Sequence, residues 1–186
     1  MGKFLLGVII TLLVLLLGGI GAAVLGFIPT YANVAPPRWE THFANTAVDA
    51  SMERHAPHLT NPLPPSDQNY EDAIKLYTMN CSECHGTLDR KPADLGKALY
   101  PPAPNLVSHP PDDPEWHTFY TIRTGVRYTG MPAWDKILSE QDTWKLASFL
   151  SHMEKLPPAV QDYWKTNFGV APPAEEEKEK PMGKQN

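Results

Sequence analysis

Cys81-Ser82-Glu83-Cys84-His85 is the stretch on which the reading of this sequence turns, because it holds both cysteines of the 186-residue chain. Its C-x-x-C-H spacing is that of covalent c-type haem attachment. Two thiols three positions apart reach the two vinyl groups on one edge of a porphyrin and form thioethers. The adjacent histidine then presents its imidazole to the iron from the same short turn. Other uses of the pair fit less well. A vicinal loop this tight is rarely a structural disulfide. A thiol–disulfide exchange site needs a βαβ surrounding, whereas the flanking sequence reads as helical. A zinc site needs two further ligands near tetrahedral spacing, and only scattered histidines are on offer.

Working outward, the residues before the motif predict a helix over about 67–80. Ser66 is a good N-cap, Asp67, Glu71 and Asp72 sit in the early turns, and Tyr70, Ala73, Ile74 and Tyr77 share one face. A second helix is predicted to start at Asp113 as cap and Pro114 in the first turn, and to stop near Gly125. A third starts at Ser139, with Asp142 three residues on as an approximate capping box, and ends before Pro157. Its apolar face is Leu146, Phe149, Leu150 and Met153. Twenty prolines, many in runs such as Pro101-Pro102-Ala103-Pro104, cut the chain into short helices and extended loops with little or no sheet.

Over about 69–156 the sequence resembles the class I c-type cytochromes. That family carries an aromatic residue four positions before the first cysteine, matched here by Tyr77. It usually carries glycine eight positions before, where this chain has Ala73, a mild departure that implies slightly wider helix packing. The resemblance implies an all-α fold: a small class I cytochrome c fold of short helices around one covalently bound haem c, preceded by one N-terminal transmembrane helix. Cys81 and Cys84 would then be the thioether residues and His85 an axial iron ligand. Gly130-Met131-Pro132-Ala133-Trp134 resembles the family's loop for the sixth ligand and gives that role to Met131, 46 positions after His85. A thioether sulfur is a soft ligand that favours ferrous iron and raises the potential; the plainer reading of Met131 is a gap-filling core residue. The resemblance also gives Pro104 the carbonyl that accepts the His85 imidazole proton, fixing the ring. It makes Arg123 a candidate partner of a haem propionate, with Arg127 and Trp134 as rivals.

Histidines are the other candidate ligands. His109 and His117 lie between the motif and Met131, and a bis-histidine site would lower the potential relative to His/Met. Both stand in polar, proline-punctuated sequence that reads as surface. His42, His55, His58 and His152 have no motif around them.

At the N-terminus, residues 4–28 carry no charge, and 17 of them are Leu, Ile, Val or Phe. As a helix the segment would be about 37 Å long, against a hydrocarbon core of about 30 Å. Its uniform apolarity excludes a helix of a soluble core. A cleaved signal peptide has an apolar core of only about 7–15 residues, so an uncleaved anchor is expected, although Thr30-Tyr31-Ala32 is a passable cleavage site. Lys3 ahead of the segment places the N-terminus in the cytoplasm. The expected organisation is an anchor (1–28), a proline-rich spacer able to drape over a partner or the domain (29–65), a cytochrome domain (66–158), and a C-terminal extension ending in a disordered charged tail (159–186). The spacer would act as a semi-rigid arm.

The net charge of −5 with dispersed basic residues leaves no nucleic-acid footprint. An iron with two axial protein ligands has no open position for a small-molecule substrate. The expected role is therefore electron transfer, not enzymatic catalysis, on the periplasmic face of the cytoplasmic membrane. The protein would be a shuttle or a relay subunit between a quinol-oxidising complex and a terminal oxidase or other acceptor. The alternative is a gas- or peroxide-binding haem enzyme or sensor whose methionine dissociates. Arg90, Lys91 and Lys97 after the motif are candidates for a docking rim, or simply a solvated face.

Overall fold

The computed structural model describes residues 2–91 and 93–173, and all regular secondary structure among them is helical. The chain divides into two units, 1–34 and 35–186.

The first unit is α1 (Gly2–Val24), a 23-residue helix with mean hydropathy 2.7 and none of its residues buried. At 1.5 Å per residue it is about 35 Å long, enough to cross a bilayer. It closes with Gly26 at φ 77°, where Gly26 N–H donates to Ala23 O and Phe27 N–H to Ala22 O. Those two bonds satisfy carbonyls that the helix end would otherwise leave unpaired.

The second unit begins with α2 (Arg38–His55), which falls within the stretch expected as a spacer. Met52 and Ala56 are buried, and Glu40 accepts a hydrogen bond from the Tyr100 hydroxyl at 2.8 Å. Beyond α2, His58 stacks on Trp116 at 4.0 Å, and Asn61 Nδ2 donates to Glu115 Oε2 at 2.8 Å. Residues 38–61 are thus fastened to the rest of this unit at several points. Little in the amino-acid order marks this, because the apolar spacing of α2 is irregular and its fastenings are polar or aromatic.

The cytochrome-like part follows as α3 (Asp67–Asn80), α4 (Ser82–His85), α5 (Asp94–Ala98), α6 (Glu115–Thr124) and α7 (Glu140–Ser151), then α8 (Pro158–Phe168). The caps read from sequence take these positions: Asn69 N–H donates to Ser66 Oγ, and Asp142 N–H donates to Ser139 Oγ. Asp113 does not cap α6. Pro114 holds that place, and the Asp113 carboxylate lies 3.8 Å from His117 Nδ1 instead. Tyr70, Ala73, Ile74 and Tyr77 of α3 bury with Leu146, Phe149 and Leu150 of α7 and with Met153 in one cluster. Ala73 is fully buried there. A second cluster joins α6 to α7, where the Phe119 and Trp144 rings stack at 3.8 Å.

The cluster also takes in α8, within the segment expected as an extension. Val160 and Trp164 are fully buried, and the Trp164 indole N–H donates to Leu88 O at 3.1 Å. Pro158 in the first turn and Gly169 at φ 74° just past the end give α8 the usual helix boundaries. The expected charged tail, 174–186, lies outside the described residues.

Candidate haem site

The motif folds as one helical turn continuing α3. Cys84 and His85 N–H both donate to Cys81 O, and Gly86 N–H donates to Ser82 O. Both thiols are free and partly exposed. Burial, with Cys84 beside it, pushes the Cys81 thiol up to about 12. A protonated thiol of this kind is the opposite of the lowered one that an exchange site uses.

The backbone of this turn is held from three sides. The Tyr77 hydroxyl bonds to His85 O at 3.0 Å and Gly86 O at 2.8 Å. Burial raises the pKa of that phenol, so it stays a neutral donor. From below, α5 presses Gly96 so closely that a Cβ there would stand 1.9 Å from Cys84 O. On the third side Leu106 N–H donates to His85 O, and Asn105 lies against Gly86, whose φ of 97° and crowding suit glycine alone.

Between these walls His85 Nδ1 lies 2.9 Å from Pro104 O. A carbonyl can only accept, so Nδ1 carries the proton and Nε2 keeps its lone pair. Burial holds the imidazole below its ordinary pKa, while the Pro104 bond opposes this, and the neutral ring is the form that ligates metal. Two free thiols and one neutral imidazole on a single turn are the donor set that haem c requires. Among the described residues no group of three or more His, Cys, Asp or Glu is placed to hold a metal ion by itself.

Met131 lies on the loop after α6. Val126 N–H donates to Met131 O at 3.1 Å, and Met131 N–H donates to Thr129 Oγ1 at 3.0 Å. Gly125, at φ 64°, abuts the backbone of Pro132 and Ala133, and Gly130 abuts the Leu99 side chain. Trp134 N–H donates to Ile122 O, which ties the loop back to α6.

Cys81, Cys84, His85 and Pro104 are therefore together, and Met131 belongs to a separate fastened loop. Arg123 is engaged with Glu140 at 3.6 Å, with its guanidinium 5.6 Å from the Phe119 ring centre. His109 is exposed, and His117 is the residue beside Asp113. The rim cations have local partners: Lys91 with Asp89, Lys97 with Asp94, and Arg90 with Ala171 O. Sequence reading missed Gly96, Trp164 and Thr129. The pair Val160 and Trp164 at helical spacing, ahead of Gly169, was the signal for the second of these. Nothing local marked the other two.

Residues 68–150 match the family model described as cytochrome c oxidase, cbb3-type, subunit III. No curated protein and no solved structure matches the chain. The matched segment begins with α3 and ends with α7, so it takes in the attachment turn and the Met131 loop. The match over residues 68–150 supports a mono-haem c-type cytochrome, and the apolar helix that precedes it in sequence fits a membrane anchor.

Proposed function

We propose that this protein carries single electrons on the periplasmic face of the cytoplasmic membrane, held there by α1, with Cys81 and Cys84 as the thioether residues and His85 and Met131 as the axial ligands. A haem bound in this way supplies one-electron ferric–ferrous cycling. The observation that carries the reading is the His85 ring: its Nδ1 proton goes to Pro104 O, which fixes the orientation, strengthens the imidazole as a donor and leaves Nε2 for the iron. Met131 would supply the second protein ligand through its sulfur, which would keep water and small ligands from the iron. The chain's own work is to hold two ligands in unchanging places, so that gaining or losing an electron demands little rearrangement.

The family description supports a partnership with a respiratory oxidase; a quinol-oxidising complex is the donor we propose. The tether keeps the haem domain near both, replacing free diffusion with a high local concentration. Because residues 38–61 are fastened to the rest of the second unit, the part of the spacer left to act as an arm shortens to residues 29–37. Relay subunit and mobile shuttle then differ in partner affinity. Co-purification with oxidase subunits in mild detergent identifies the relay, and recovery as a lone monomer identifies the shuttle. Arg123 remains our candidate for a propionate, in exchange for its ion pair with Glu140.

Replacing both Cys81 and Cys84 by alanine, in a host that attaches haem c, tests the site. Covalent haem should disappear from the denatured polypeptide; its persistence would place the attachment elsewhere. Carbon monoxide binding to the ferrous protein at neutral pH is expected to be negligible, and ready binding would favour the gas-binding alternative.

A further inference from the structure

The Met131 loop is closed by an unusual device. Val126 and Met131 face each other as a backbone pair, yet only one of the two possible bonds is direct, from Val126 N–H to Met131 O at 3.1 Å. The return path runs through a side chain. The Thr129 hydroxyl donates to Val126 O at 2.7 Å and accepts from Met131 N–H at 3.0 Å. One oxygen thereby satisfies an acceptor and a donor that would otherwise be left without this partner, and it does so on the candidate ligand's own amide.

The residue before the bridge is strained. Tyr128 stands at φ 63°, a left-handed conformation that residues with a Cβ adopt infrequently. It is 90% exposed, so side-chain packing does not impose that conformation. The residue that follows, Thr129, is the one tied at both ends. At either side of the bridge the loop has no slack: a Cβ at Gly130 would meet Leu99 Cδ1 at 2.6 Å, and one at Gly125 would meet Pro132 C at 2.6 Å.

We infer that Thr129 is a positioning residue for the sixth ligand, its hydroxyl holding the backbone of Met131 so that the thioether stays directed at the iron. The inference rests on the reading of Met131 as that ligand. A thioether is a weak donor that competing ligands can displace, so the freedom of the loop decides how readily it leaves. A loop already fixed in its bound shape loses little conformational entropy on ligation, and one without the bridge loses more.

The test uses the full-length, haem-loaded protein in detergent. Ferric wild type, Thr129→Val and Thr129→Ser are titrated with imidazole while the far-red band of iron–sulfur ligation is followed, and thermal midpoints are measured alongside. Valine keeps the shape of threonine and loses the hydroxyl; serine keeps the hydroxyl. Imidazole should displace the methionine from the valine variant at roughly one-tenth of the wild-type concentration, the change that about 1.4 kcal/mol produces. The serine variant should stay within about twofold of wild type. If the valine variant does not accumulate, Thr129→Ala removes the same hydroxyl and is held to the same expectation. A lowered thermal midpoint with an unmoved imidazole titration would show a merely structural residue and overturn the inference. Equal weakening by valine and serine would also overturn it. Absence of the far-red band from wild type itself, with Met131→Ala spectrally silent, would remove the parent reading of Met131 rather than the role of Thr129 alone.

Discussion

The attachment turn and the methionine loop, the two parts proposed to hold the haem, are built differently. The turn is enclosed by backbone: α3 runs into it, α5 touches Cys84 through Gly96, and the 104–106 strip lies along His85. Behind it stand Tyr77 and Leu88, both almost fully buried, with Trp164 bonded to Leu88 O. The loop stands on one hydroxyl, one direct backbone pair, the Trp134 N–H bond to Ile122 O and two glycine contacts, with Tyr128 exposed at its tip. The difference follows from the chemistry each must support. In the proposed reading, a thioether-linked haem and its histidine would not part, so they can be set in the core. A methionine sulfur would be held by coordination and by its loop, so the loop's bonds would set the strength of that side.

That contrast can be broken most forcefully at Gly96. Alanine there would drive a Cβ into Cys84 O, and the backbone has nowhere to go. Loss of about 3 kcal/mol or more is expected, seen as failure to accumulate haem-loaded protein or as a large fall in thermal midpoint. Normal loading and stability would show that the turn is softer than described.

Trp164→Ala comes next in stability, at about 3–5 kcal/mol for a fully buried indole that also loses its bond to Leu88 O. It should lower the denaturation midpoint while leaving covalent haem in the protein that does fold. An unchanged midpoint would mean that α8 is not part of the core.

On the other side, Gly125→Ala adds a side chain at φ 64° against Pro132 and Ala133. A cost of about 2 kcal/mol is expected, with the far-red band weakened and the thioethers intact. Haem loss together with the band would mean that the two regions are not separable.

The smallest effect sharpens the comparison by touching neither region. Asp72 of α3 pairs with Lys145 of α7 at 2.9 Å, and that bond, followed by one from Gln68, holds its carboxyl below the usual carboxylate range. A depressed folded value means stabilisation that is present above the ordinary carboxylate pKa and lost as pH falls through the depressed one. Asp72→Asn should remove less than about 1 kcal/mol at neutral pH, flatten the dependence of thermal midpoint on acid pH, and leave the visible spectrum unchanged. A spectral change would tie the α3–α7 contact to the haem.

Much of this design can be read from the amino-acid order, for identifiable reasons. The attachment motif is local, and so are the apolar face and cap of α3 and those of α7, because each repeats at helical spacing within a few residues. The contact of Gly96 with Cys84 is not local. It depends on α5, a five-residue helix without an apolar period of its own. The fastening of α2 was hidden for a similar reason: Glu40, His58 and Asn61 find partners 60, 58 and 54 positions away. For α8, the Pro157-Pro158 pair reads equally as a break or as the first turn of a helix. Thr129 is one polar residue in a polar loop, and its meaning lies in the two bonds that its hydroxyl makes.

The central claim is that the turn at 81–85 and the loop at Met131 hold one haem c between them. The visible spectrum of the purified full-length protein, oxidised and then reduced, with a pyridine haemochrome taken alongside, tests it most directly. The expected spectrum is a c-type haemochrome with the weak far-red band of iron–sulfur ligation in the ferric form. Absence of haem from protein made in a host competent to attach it would rule out a haem at this turn.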